Sequence, residues 1–172
     1  MPSEQAATPA IHDAIYEYFA GERNEMWLVI AASSSVSVLA LWLFFSARNG
    51  FSLALMASVL LFAGMLSAAA VSLLIRDRDS PRVLTLAAQT QPQGPTVAAE
   101  KARMAVVLSK YKYYRYAAAV ITVFAVAAML LSSRGWLHGV AAGLLLLAAA
   151  HAIIDHYSER RAQVYFERLT RI

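Results

Sequence analysis

Four stretches of the chain, 27–47, 51–75, 116–133 and 136–154, contain no Asp, Glu, Lys or Arg. Each is close to the roughly 20 residues that a helix needs to cross a hydrocarbon core about 30 Å thick. Backbone amides find no water in hydrocarbon, so segments this long and this uniformly apolar are expected there as helices that satisfy their own hydrogen bonds. The rest of the composition agrees. The 172 residues are 59% hydrophobic and only 15% charged, where soluble domains carry roughly 25% charged residues. The fold class that follows is an all-α integral membrane protein, a single four-helix domain over 1–172 with the lipid bilayer as its solvent.

Only residues 48–50 separate the first stretch from the second, and 134–135 the third from the fourth, so the four helices are expected as two tight hairpins. Thirteen of the fifteen Lys and Arg residues lie outside these two turns, in the N-terminal segment, the central connection 76–115 and the tail after 155. The turns hold only Arg48 and Arg134. Cations collect on the cytoplasmic side of membrane proteins, so both termini and the central connection are expected in the cytoplasm. Trp27 and Tyr111, Tyr113, Tyr114 and Tyr116 fall near that boundary and Trp136 near the opposite one, as amphipathic rings at headgroup depth do. The first 26 residues mix acids with Arg23 and lack the basic start and short apolar core of a cleaved leader, so the first span is expected to be retained.

Short cytoplasmic helices are expected at three places. Thr8–Pro9 offers a start for an N-terminal helix carrying Ile11, Ile15 and Phe19 on one face. Ser80–Pro81 opens a second helix in the central loop, which ends before the turn 91–95, and Thr96 is the expected cap of the next. From there no Gly or Pro occurs until Gly135, which predicts one continuous helix extending the third span about 30 Å beyond the membrane. The tail 156–172 is a third short helix, with Tyr157, Val164, Tyr165 and Leu169 near one face.

Small residues mark where helices can approach closely: Gly135, Gly139 and Gly143 on the fourth span, Gly64 with Ala68, and Ser33 with Ser37. These are candidates for packing within the chain, for a homo-oligomer or for a partner interface. At the cytoplasmic ends, Arg76, Arg103, Tyr114, Arg115, Asp155, Glu159, Arg160 and Arg161 form a candidate polar cluster, in which Asp155 is expected to pair with Arg76 or Arg115. His151, Asp155 and Glu159 share one helix face, but the spans hold no further acid to complete a metal shell, and no metal is expected.

Other chemistries lack their residues. Cysteine is absent, which removes disulfides, thiolate metal sites and cysteine nucleophiles. The spans carry no ionisable side chain except His138 and His151, thirteen residues apart on one helix, which argues against proton-coupled transport and against a haem held by both. No phosphate-cradling glycine loop, nucleophile elbow or HExxH pair occurs, so neither an enzyme nor a cofactor is expected. The net charge of +4 is accounted for by membrane orientation, and nucleic acid is not an expected partner.

In Glu100, Ala102, Arg103 and Met104, in Tyr114–Arg115, in Gly139 and Gly143, and in Asp155, Glu159, Arg160, Arg161, Tyr165 and Leu169, the sequence resembles a family of small four-span bacterial inner-membrane proteins. The segment Tyr18–Phe19–Ala20–Gly21–Glu22 resembles an early aromatic–acid motif of that family, and Arg76 the arginine that closes its second span. Where the family often carries a glutamate after the Tyr-Arg pair, this chain reads Tyr116–Ala117–Ala118–Ala119. The resemblance implies the fold and a cytoplasmic polar cluster, without an activity. Some proteins of this build protect their cell against a membrane-inserting antibacterial toxin. The expected role is therefore a non-enzymatic immunity protein, with Gly135, Gly139 and Gly143 as intramembrane contacts. The alternative is a small transporter or channel subunit lined by Ser33, Ser34, Ser35, Ser37 and Ser67.

Overall fold

A computed structural model describes residues 7–171, with side chains from residue 11 onward. Five helices follow one another: α1 (Ala7–Ala47), α2 (Gly50–Arg76), α3 (Ser80–Thr90), α4 (Pro95–Leu131) and α5 (Gly135–Thr170). Four of them are long and apolar enough to cross a membrane, which suggests a multi-pass membrane protein. Neither a separate N-terminal helix nor a separate tail helix exists among the described residues. Both are continuous with the neighbouring spans, because no Pro interrupts α1 after its first turn or α5 anywhere along its length. The side chains of Thr8 and Pro9 lie outside the described residues. In the central connection α3 begins as expected, with Pro81 in its first turn.

The caps refine the sequence reading. Arg48, with φ 45°, supplies the left-handed residue between α1 and α2, although Gly50 follows two positions later. Asn49 then caps α2: its side chain accepts from the Ser52 amide at 2.9 Å, while Ser52 Oγ accepts from the Asn49 amide. Gly50 is already helical. At the start of α4 the cap is Gly94 and not Thr96, since Pro95 lacks an N–H and fits the first helical position, where no donor is required. His138 Nε2 lies 2.8 Å from the Ser132 carbonyl, tying α5 back onto the turn at 132–134.

The helices pack in the order α1, α2, α5, α4, and α4 makes its main contact with α5 and a smaller one with α3. Two of the three glycines at four-residue spacing make the α2–α5 contact. A Cβ on Gly139 would lie 2.3 Å from the Phe51 carbonyl oxygen, and one on Gly143 2.6 Å from the Ser58 Cβ. Gly135 and Gly64 have nothing within 4 Å of a built Cβ. Gly64 lies six residues beyond Ser58, about 240° around the helix, so it and Ala68 turn away from the face that meets α5. Ser33 is buried and accepts, through its carbonyl, a 2.7 Å bond from the Ser37 hydroxyl.

The largest buried core is not in the spans. It lies at the end of the bundle that carries both termini, where Ile15, Tyr18, Phe19, Leu84, Val97, Met104, Tyr165 and Leu169 converge from α1, α3, α4 and α5. Within the spans most large side chains, including Trp42, Phe45, Phe124, Leu130 and Leu131, face outward. In a bilayer, lipid would remove the cost of exposing them, whereas helix ends in water must bury their apolar faces on one another.

Candidate functional site

At the termini end, the apolar core is shot through with charge. Tyr18 of α1 stacks on Tyr165 of α5, with ring centroids 4.3 Å apart and planes 12° from parallel. Below this pair Glu100 of α4 is buried, and Arg103 one turn later grips it with two bonds of 2.7 Å, Nε to Oε2 and Nη2 to Oε1. The Tyr165 hydroxyl donates to Glu100 Oε1 at 3.2 Å, which links α5 to α4.

A second set joins α5 to α1. Glu25 accepts from both Ser158 Oγ and Arg161. The Arg161 side chain crosses α1 where Gly21 stands, and a Cβ there would meet its Cδ at 2.7 Å. Arg168 reaches Glu17 at 3.0 Å on the surface. On the opposite side of α5, Arg115 of α4 pairs with Glu159 at 3.1 Å. The last part of α5 is thus clamped between α1 and α4 by ion pairs that span up to 151 residues of sequence.

Of the polar residues singled out in the sequence, Arg103, Arg115, Glu159 and Arg161 enter this network. Tyr114 is half-exposed and packs edge-on against Tyr111, with centroids 6.3 Å apart. Arg160 is exposed and lines a groove with Tyr157 and residues of α1. The expected pairing of Asp155 is not formed. Arg76 closes instead on the adjacent Asp77 with two 2.7 Å bonds, and Arg115 takes Glu159. A neighbouring residue is reached without ordering a second helix, and Glu159 lies one turn farther along α5 from the apolar span. Asp155 is left buried with Oδ2 unpartnered, and burial pushes its carboxyl upward against the opposing effect of His151.

Sequence reasoning gave Glu25 and Ser158 no role, placed Tyr111 only as a boundary aromatic, and treated Tyr18, Gly21 and Glu22 only as part of a motif. The available signal was the run Tyr18 to Glu22, whose four-residue spacing puts both groups on one helix face. Burial raises the Glu22 carboxyl above its ordinary value, and the charge of Asp77 adds to the rise, while Arg103 and Arg76 oppose it. Its Oε2 has no partner. Burial likewise pushes the Tyr111 hydroxyl up to about 12.

Because the Glu22 carboxyl holds its proton more tightly in the fold than in the unfolded chain, its contribution to stability is complete below about pH 4.5 and is lost as pH rises above that value. Glu22→Gln cannot ionise. The difference in thermal midpoint between variant and parent, followed by circular dichroism in micelles, is expected to grow in the variant's favour from pH 4.5 to pH 8. A constant difference across that range would show that the carboxylate is fully solvated in the fold.

The arrangement is suited to holding helix ends in register: Arg103, Arg115, Arg161 and Arg168 are each placed against a carboxylate. No protein family, no curated protein and no solved structure matches this chain.

Proposed function

We propose that this chain is a non-enzymatic interaction protein of the bacterial inner membrane, with both termini in the cytoplasm, and that its role is immunity. It would neutralise a membrane-inserting, pore-forming antibacterial toxin by occupying that toxin within the bilayer. The orientation rests on the thirteen cations gathered at the termini end, against two in the turns at the other.

The observation that carries the reading is the open face of α4. This helix packs chiefly on α5 and leaves Val123, Phe124, Leu130 and Leu131 outward. Beside it runs a groove of about 430 Å³ floored by Ala118, Ala119, Ala148, Ala149 and Ala152. Lipid tails are as apolar as leucine, so helices in a membrane associate through close backbone approach, and a trough of alanines permits it. Gly139 and Gly143, occupied by α2, are not free to receive a partner. The competing reading, a small transporter or channel subunit, requires serines that face a shared pore. Ser34 and Ser35 are instead exposed on α1, and their hydroxyls bond back to the carbonyls of Ile30 and Ala31 at 2.8 and 2.9 Å.

The test is competitive growth of a strain lacking this gene against its parent, beside sister cells that secrete the toxin. Selective loss of the mutant, rescued by the intact chain but not by Ala119→Leu with Ala149→Leu, is the expected result. Equal survival of both strains overturns the immunity reading, and solute flux into liposomes holding this protein alone would then favour the transporter.

A further inference from the structure

A cavity of about 350 Å³ opens between α1, the end of α2 and the start of α3. Its position along the helices is specific. Leu73 and Leu74 belong to the end of the second apolar segment and Met26 immediately precedes the first, while Arg78 and Arg82 stand beyond the end of the second span. One wall is therefore at acyl-chain depth and the other at headgroup depth.

The charges are unevenly matched. Three arginines line the cavity: Arg23, Arg78 and Arg82. The acids that line it are Glu22 and Asp77. Asp77 is already engaged by Arg76, and the Glu22 carboxyl is held toward its neutral form by burial. Among the described residues none of the three arginines has an ion-pair partner. Guanidinium groups bind phosphate oxygens through paired donors, and basic pockets between membrane helices suit phospholipid headgroups.

We infer that this cavity is a binding site for a phosphate-bearing headgroup, and that its source is a membrane phospholipid whose acyl chain lies along Met26, Leu73 and Leu74. The phosphate would sit on Arg23, Arg78 and Arg82, and the unpartnered Glu22 Oε2 would accept a hydrogen bond from a donor group beyond the phosphate. The site is independent of the toxin reading, since it lies on α1, α2 and α3 and the open face lies on α4 and α5.

Native mass spectrometry of the full chain, extracted in mild detergent and titrated with phosphatidylglycerol or phosphatidylethanolamine, tests it. The expected result is one lipid retained per chain, with affinity reduced about tenfold or more in R78Q/R82Q. K110Q/K112Q, which removes the same charge from exposed positions on α4, should leave that lipid in place. Leu74→Trp fills the apolar wall while keeping every arginine, and should also release it. Equal losses in the two charge variants, or no effect of Leu74→Trp, would reduce the interaction to general surface attraction and overturn the site. Displacement of the lipid by equimolar inorganic phosphate would overturn the lipid as its source.

Discussion

Replacing Arg103 with glutamine is expected to lower the stability of this protein by about 3 kcal/mol, the lower end of what is seen when one member of a buried ion pair is removed. The lower end applies because the Arg103 side chain keeps 31% of its exposure while that of Glu100 keeps 7%. Glu100 would be left in the core with a single donor, the Tyr165 hydroxyl, in place of three. The cost is that of stranding a carboxylate, not the net worth of the pair, so the double variant E100Q/R103Q should recover a large part of it. Reversible unfolding in mixed micelles, read by far-ultraviolet circular dichroism, distinguishes the cases. If R103Q loses less than about 1 kcal/mol, Glu100 is reached by solvent and the pair belongs with ordinary surface bridges.

Gly139→Leu is expected to have the next largest effect, a loss of about 2–3 kcal/mol from overpacking a tight contact. A Cβ at this position meets backbone, the Phe51 carbonyl oxygen at 2.3 Å, so no side-chain rotation relieves the clash and α2 must move away from α5. Gly64→Leu, on the face of α2 where nothing lies within 4 Å, serves as the control and should cost nothing measurable. Because the chain has no cysteine, pairs introduced across α2 and α5 can be cross-linked without background. Loss of the Ser58-to-Gly143 proximity in Gly139→Leu would accompany the expected result. Unchanged cross-linking and stability would mean that the two helices are not held by this contact.

These two outcomes separate what glycine spacing indicates from what it does not. Gly135, Gly139 and Gly143 are equivalent by spacing, yet only the last two meet a neighbour, since Gly135 opens α5 where nothing lies against it. Gly64 and Ala68 have the same small-residue pattern and face away from the protein. Spacing reports that a helix face is narrow. Whether that face is used depends on how the helix is rotated about its axis, and small residues are compatible with several rotations.

The polar cluster follows the same division. That charges would gather at the termini end is written in the one-dimensional pattern, as are the four spans, the helix begun at Ser80 and the unbroken run of α4, because hydropathy and the positions of Gly and Pro act locally along the chain. Which acid meets which base is not local. Glu25 and Arg161 are 136 residues apart, and they meet because Gly21 lets an arginine cross α1. Asp155 loses both expected partners because Asp77 and Glu159 are easier to reach. Local pattern was enough to place the four long apolar helices and the charged end of the bundle, though not to show that α1 and α5 run on unbroken beyond them. Only the tertiary structure, through helix rotation and close approach, decided which side chains are buried together, which carboxyls are stranded, and that a basic cavity lies where apolar wall and charge meet.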